Sequence, residues 1–290
     1  MSSFRKIVKK YKPSPQRGFM GAEHTARLLI NIDYSESDPF IMLADDRLHK
    51  TNSQPVGGPH PHAGFETVSL LLKGDMGDEK YRLKGGDLQL MTAGSGIIHT
   101  ETITEITDFH LLQLWLVLPK KYRWVSPRVQ DLPLEKVPVK RNEYFTIRLY
   151  SGKLSGLTSP LENYTPFIIA DFELNADAST VQQLPASYTA FLYVLQGSIQ
   201  VGKNKIELNT EEVGWLDRQN LNEISDLEIN AGSSGARFIL YAGEPQGDAI
   251  ISHGPFIGDT EEDISRLYRE YRGGIMKHLA TLPDKQRIKF

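Results

Sequence analysis

The chain has 290 residues and a near balance of 33 Lys and Arg against 36 Asp and Glu, for a formal net charge of −3, which points away from direct nucleic-acid binding. Hydrophobic residues make up 40% and charged residues 24%, an ordinary globular composition, and no stretch of ~18 apolar residues offers a membrane span. There is no cysteine, which excludes disulfides, thiolate metal ligands, iron–sulfur clusters and a cysteine nucleophile, and is compatible with a reducing, cytoplasmic setting.

The first residues, Met1 to Lys12, are basic but lack the apolar core of a secretory signal. Arg5, Lys6, Lys9, Lys10 and Lys12 read as a solvated strand face or a frayed end. Thr67 to Leu72 is a β-rich apolar run that ends at Lys73-Gly74. Gly85-Gly86-Asp87 is a tight turn, and Leu88 to Met91 follows as a strand. His110 to Leu118 is a long apolar strand closed by Pro119, and the stretch from Pro119 to Arg141, rich in proline and charge, reads as a linker. A second block starts near Phe145. Phe167 to Leu174, Ala190 to Leu195, Ser198 to Val201 and Ala236 to Tyr241 are short strands, with turns at Gln196-Gly197 and Gly202-Lys203-Asn204. Many short strands with Gly-rich turns, appearing twice, predict an all-β chain of two barrels or sandwiches.

One helix stands out near the end. Thr260 is a good N-cap, and Glu261, Glu262 and Asp263 suit the positive end of the helix dipole. Ile264, Leu267, Tyr268 and Tyr271 form an apolar stripe at helical spacing, and Gly273-Gly274 ends it. A helix with one apolar face at the end of a β-protein must dock on a barrel or on the seam between two.

The halves echo each other. Glu66 to Gly74 in the first and Ala190 to Gly197 in the second are both apolar strands leading to a glycine turn. Upstream of the first stands Pro59-His60-Pro61-His62; upstream of the second stand Ala186 to Thr189, without histidine. A further pair, His99-Thr100-Glu101, follows in the first half. Residues i and i+2 of a strand share a face. If the two strands face each other, three imidazoles and one carboxylate converge on a metal site with N and O ligands. His24, His49, His110, His253 and His278 lack such partners and read as structural or exposed.

The chain resembles the pirin family, a branch of the cupin superfamily, in Gly58-Pro-His-Pro-His-Ala-Gly-Phe-Glu-Thr-Val68, in Gly86-Asp-Leu-Gln-Leu-Met-Thr-Ala-Gly-Ser-Gly-Ile-Ile-His-Thr-Glu101 and in Leu112-Gln-Leu-Trp115. Gly243-Glu-Pro245 and Gly254-Pro-Phe256 add to it in the second half. The resemblance implies two cupin-type β-barrels with a C-terminal helix. Residues 1–135 would be the N-terminal metal-binding barrel, and residues 136–290 a metal-free barrel plus the helix. The family's metal ligands correspond to His60, His62, His99 and Glu101. The implied metal is Fe(II), although donors of this type also admit Mn(II), Cu(II), Ni(II) and Zn(II). Glu66, four residues after His62, sits where many cupins place a metal carboxylate; in pirins that position points to a supporting role for the ligands. The segment Gly74 to Gly86 is shorter than in many pirins, and is expected near the barrel mouth, where it would bear on substrate choice.

Two activities follow from the resemblance. One is a dioxygenase of the quercetin 2,3-dioxygenase type, acting on a small aromatic substrate such as a flavonol, with Glu101 as the base that takes the substrate's hydroxyl proton. The other is a non-enzymatic, redox-sensing regulator or transcription cofactor that binds a protein partner.

Overall fold

The structure is a computed structural model and describes residues 3–77, 82–219 and 223–290. Two compact units divide the chain: Pro15–Tyr34, Phe40–Lys136 and Gln246–Phe290 form one, and Met1–Ser14, Ser35–Pro39 and Val137–Pro245 the other. The break at Lys136/Val137 lies beside the expected 135/136 boundary, but the division is not a linear 1–135/136–290 split. The N-terminal strands belong with the second half, and the terminal helix belongs with the first. The cause is strand pairing. Ser3–Phe4 runs parallel to Ile224–Gly243, and Ile7–Tyr11 runs antiparallel to Val213–Leu216. At the other end of the chain, Arg287–Lys289 adds a parallel strand to Arg128–Leu132.

The unit containing Phe40–Lys136 is built on an eight-stranded sheet. From edge to edge it runs Arg287–Lys289, Arg128–Leu132, Leu88–Thr92, Phe65–Lys73, Thr107–Val117, Phe40–Lys50, His24–Leu28 and Gln16–Arg17. Pro59–His62 and Ile97–Thr100 pair separately as a two-stranded ribbon. The apolar runs expected near Thr67, Leu88 and His110 are thus three neighbouring strands of one sheet. The unit boundary at Lys136/Val137 falls inside the stretch from Pro119 to Arg141 expected as a linker, but that stretch also carries paired strands. Arg128–Leu132 pairs with Leu88–Thr92 and buries Val129, Gln130 and Leu132, while Val139–Arg141 pairs with Phe145–Ser151. Its prolines sit between these strands, so their missing N–H groups cost no ladder hydrogen bond.

The other unit carries a ten-stranded sheet with Ile224–Gly243 at its centre, flanked by Phe167–Leu174 and Thr189–Val201. The runs Ala190 to Leu195 and Ser198 to Val201 are one strand, since the chain passes Gln196-Gly197 by irregular pairing and not by a turn. Its main apolar cluster includes Leu192, Val194, Phe172, Phe238 and Leu240, all fully buried. The basic N-terminal cluster splits in two. Lys10 and Lys12 pair with Glu212 and Glu211. Arg5, expected at a solvated edge, is wholly buried, and its guanidinium donates to the carbonyls of Pro185, Ala186 and Tyr188. Those donated bonds offset the cost of burying its charge.

The terminal helix spans Glu261–Arg272. The Thr260 hydroxyl accepts from the Asp263 N–H, and the Asp263 carboxylate accepts from the Thr260 N–H, a reciprocal cap. Ile264 and Leu267 are buried against Ala63, Phe256 and Met276, so the helix docks beside the strand that carries His60 and His62. Tyr271, at the end of the stripe, is 38% exposed.

Candidate metal centre

The ribbon of Pro59–His62 and Ile97–Thr100 sets the site. Its register places His99 opposite His60 and Ile97 opposite His62. Gly57, just before the ribbon, has φ +78, and a side chain there would collide with the Glu101 carbonyl. Glycine is what lets the two site segments approach so closely.

His60, His62 and His99 come together, with one ring nitrogen from each lying within 4.8 Å of the others. The ring centroids of His62 lie 4.9 Å from those of both His60 and His99. Nδ1 of His60 donates to the Gly58 carbonyl at 2.9 Å, which leaves Nε2 as the ring's acceptor and candidate ligand atom. That Nε2 stands 2.8 Å from Nε2 of His99 and 3.8 Å from Oε2 of Glu101. Glu101 therefore stands at the edge of the imidazole cluster, with its Oε1 accepting from the Ser69 hydroxyl at 3.4 Å. The one Ser69 hydroxyl proton is shared with Gln113 Oε1, the nearer acceptor at 2.9 Å.

Burial controls the ionisation of these groups. It holds the His62 imidazole down at about 3, helped by the neighbouring His60 ring and opposed by the Pro255 backbone. It also holds His99 well below the usual histidine range, with His62, His60 and His278 adding to the effect. Both rings are neutral at pH 7, the form in which imidazole is a ligand. Burial pushes the Glu101 carboxyl up; the His60 ring opposes this and the Asp46 carboxylate adds to it. A nitrogen lone pair fixed by a backbone bond, two neutral buried imidazoles and an adjacent carboxylate fit a divalent transition metal. Among the described residues, His60, His62 and His99 are the group whose donor atoms converge enough to hold an ion; Glu101, 3.8 Å from Nε2 of His60, falls just outside that convergence.

Glu66 lies outside the cluster. Its carboxylate accepts from the Thr92 hydroxyl at 2.6 Å and is fully buried in the sheet. His49, His110 and His253 bond Asp108, Asp45 and Tyr268. His278 bonds the Thr100 hydroxyl, immediately next to the site.

A cavity of about 680 Å³ opens onto His60, His62 and Glu101. Its floor is one face of the eight-stranded sheet. Met42, Ala44 and Asp46 alternate along Phe40–Lys50, opposite Ala44-paired Gln113 and Met42-paired Trp115 on one side and Ala26 and Leu28 on the other. Gln16, Arg17, Gly18 and Phe19 also line the cavity, and no motif in the sequence marks them. Their signal is weak, because the short edge strand Gln16–Arg17 gains its meaning only from pairing with Thr25 and Ala26. The alternation of Met42, Ala44 and Asp46 is legible as a strand face, once that strand is known to neighbour Trp115.

The segment Gly74 to Gly86 takes another place. Asp75–Met76 and Leu83–Lys84 form a small hairpin, and residues 78–81 lie outside the described residues. Met76, Gly77 and Leu83 line a recess of about 40 Å³ on His99, Thr100 and Glu101, and among the described residues of the segment none lines the large cavity.

Two family models match the chain, one described as Pirin over residues 21–116 and one as the Pirin C-terminal cupin domain over residues 169–277. The chain belongs to the pirin family. Human pirin is 32% identical over 284 residues, which cover 94% of each chain. The fold of this pirin, two cupin units of β-strands with a C-terminal helix, is shared with a quercetin 2,3-dioxygenase from Acinetobacter baumannii. That structure has a TM-score of 0.82 at 22% identity, over 94% of this chain and 98% of the other. A bacterial pirin from Escherichia coli, solved in complex with nickel(II), has a TM-score of 0.61 at 17% identity, over 82% of this chain and 99% of its own.

Proposed function

We propose that this pirin binds one transition-metal ion through His60, His62, His99 and Glu101, with Fe(II) as the working metal, and that it is a dioxygenase for a flavonol-type aromatic. The cavity carries the reading. A chamber of about 680 Å³, walled by Leu28, Met42 and Trp115 and opening onto the imidazole cluster, has the size and character of a small-molecule site. A protein that only reports the redox state of its metal through a surface has no need of it. The fold shared with a quercetin 2,3-dioxygenase supports a flavonol, and the nickel(II) complex of an Escherichia coli pirin supports the metal.

When bound, a redox-active divalent ion supplies Lewis-acid and oxygen chemistry. The chain's own groups do the rest. Gly58 keeps the His60 ring in the tautomer that offers Nε2. Burial keeps His62 and His99 neutral. Trp115 and the aliphatic walls take the flat faces of an aromatic ligand and exclude water. Glu101 reaches the same cavity, and its raised pKa suits a base that takes a proton from a substrate hydroxyl.

The test is flavonol loss with matching oxygen uptake, per bound iron, in iron-loaded protein. Turnover of at least one flavonol is expected. Silence towards all of them favours the regulatory reading, in which the metal's redox state alters a surface bound by a protein partner.

A further inference from the structure

The proposed chemistry leaves one buried hydrogen-bonded pair unused. Asp46 lines the large cavity but lies outside the imidazole cluster. It is only 5% exposed, and Oδ1 accepts from Nε2–H of His24 at 2.9 Å. His24 is also buried, and its Nδ1 accepts from the Met20 N–H at 3.1 Å. Those two bonds settle the tautomer: the proton sits on Nε2 and points at Asp46. The ring is seated by its surroundings as well. A side chain at Gly18 would collide with it, and the Phe19 ring meets it edge-on at 5.4 Å between centroids.

Among the described residues, His24 is the side chain that hydrogen-bonds Asp46. A carboxylate accepts several hydrogen bonds, and burying it with fewer is costly. Here it faces a chamber in which its neighbours on the sheet are Ala26, Leu28, Met42 and Ala44. A pair that served only to hold strands together would gain by turning both oxygens into the protein. This one holds a preoriented acceptor whose neighbours on its own strand and the strand of Ala26 are apolar, in a cavity that Gln113 and Glu101 also line. Arg17 lines the same cavity as the Asp46 and Glu101 carboxylates, and a ring hydroxyl is a neutral donor that such an acceptor can pair.

We propose that Asp46, held by His24, is the hydroxyl-reading residue of the cavity. It accepts a hydrogen bond from a ring hydroxyl of the aromatic ligand, and so selects hydroxyl-bearing rings over their deoxy analogues. This rests on the reading of the cavity as a flavonol-type site. His24 is a positioning residue and does not touch the ligand. A site built to pair a hydroxyl rejects the analogue that lacks it, because the buried acceptor is then left without a donor.

The test uses the full chain loaded with Zn(II), which binds without redox turnover. Calorimetry compares quercetin with 3-hydroxyflavone, which keeps the 3-hydroxyl and lacks the others. Wild type is expected to favour quercetin by roughly 10- to 100-fold, the scale of a hydrogen bond to a charged group. Asp46→Ala should reduce that ratio to about threefold or less, with zinc content unchanged. Asp46→Asn, which keeps the shape and loses the charge, should lower the ratio at least about fivefold, and it carries the test if the alanine variant is unstable. His24→Leu should lower the ratio by a smaller factor. A ratio that survives both Asp46 variants, or equal weakening of both flavonols, overturns the proposal, since a merely structural Asp46 would not change selectivity. Selective binding lost with Asp46, in a protein whose iron form consumes no oxygen, would sink the dioxygenase reading and leave this one standing. No binding of either flavonol to wild type overturns both.

Discussion

Nε2 of His60 and Nε2 of His99 face each other across 2.8 Å. The ribbon register that sets His99 opposite His60 brings this about, and the Gly58 carbonyl fixes which nitrogen His60 presents. Two strand residues with their side chains on one face need only a partner strand in the right register to become a chelate.

His62→Ala and His99→Ala should each lower bound metal to about a tenth of wild type or less, from a starting value near one ion per chain. The fold should survive, because both sheets rest on apolar burial spread over many strands and not on the ion. Elemental analysis beside far-ultraviolet circular dichroism and thermal melts measures both quantities. Full metal occupancy in both variants would remove these residues as ligands.

Glu66 separates support from ligation. Its carboxylate is fully buried and accepts from the Thr92 hydroxyl at 2.6 Å. Thr92→Val removes that donor at nearly constant shape and should destabilise the protein by about 1–3 kcal/mol. Glu66→Gln should leave metal content close to wild type. Denaturant melts read the first and elemental analysis the second. Loss of most of the metal from Glu66→Gln would bring Glu66 into the ligand set.

The parts of this fold legible in the sequence are those with local causes. Thr260 and Asp263 announce the helix through a cap that spans three residues. The runs beginning near Thr67 and His110 are strands because their residues are apolar and β-branched, and His60-Pro61-His62 shows its shared face by spacing alone. What escapes is set by distant pairing. Nothing near Ile7 says that it joins Val213–Leu216, and nothing near Arg128 says that proline-flanked residues make an inner strand. Asp46 and His24 meet through neighbouring strands, diagonally, since Ala26 is the residue opposite Asp46. Arg5 reads as a surface charge because its carbonyl partners, Ala186 and Tyr188, lie 181 and 183 residues away along the chain.

Asp131 offers a pH signature away from the metal centre. Its carboxyl is raised above the ordinary value by burial; the bond from Gln89 at 2.8 Å and the charge of Lys289 oppose this, and Asp87 adds to it. A carboxyl whose folded pKa exceeds its unfolded one binds its proton more tightly when folded. Its contribution to stability is therefore complete below the unfolded value near 3.8 and is lost as pH rises through the folded value. Asp131→Asn, which mimics the protonated form, should be more stable than wild type at pH 7, with the gap closing as pH falls towards 4. Urea melts at both values decide it, and a gap that widens in acid would refute the assignment.

Glu101 divides catalyst from sensor. It reaches the cavity, its Oε2 lies 3.8 Å from Nε2 of His60, and burial raises its pKa towards the range of a useful base. Glu101→Gln keeps the size and one oxygen donor, but removes the charge and the basicity. In a dioxygenase that uses Glu101 as base, metal should be partly retained while turnover per bound iron falls by roughly 10²-fold or more. Ser69→Ala, which removes only the hydroxyl that bonds Glu101 at 3.4 Å, should cost far less, because the carboxylate keeps its place and its charge. In a protein that only senses redox state, wild type and both variants should be equally inert towards flavonols, with Glu101→Gln acting through metal potential and partner affinity. Flavonol loss and oxygen uptake, normalised to iron, distinguish the two. Turnover that survives Glu101→Gln unchanged would exclude Glu101 as the base and turn attention to Asp46, the other carboxylate in the cavity.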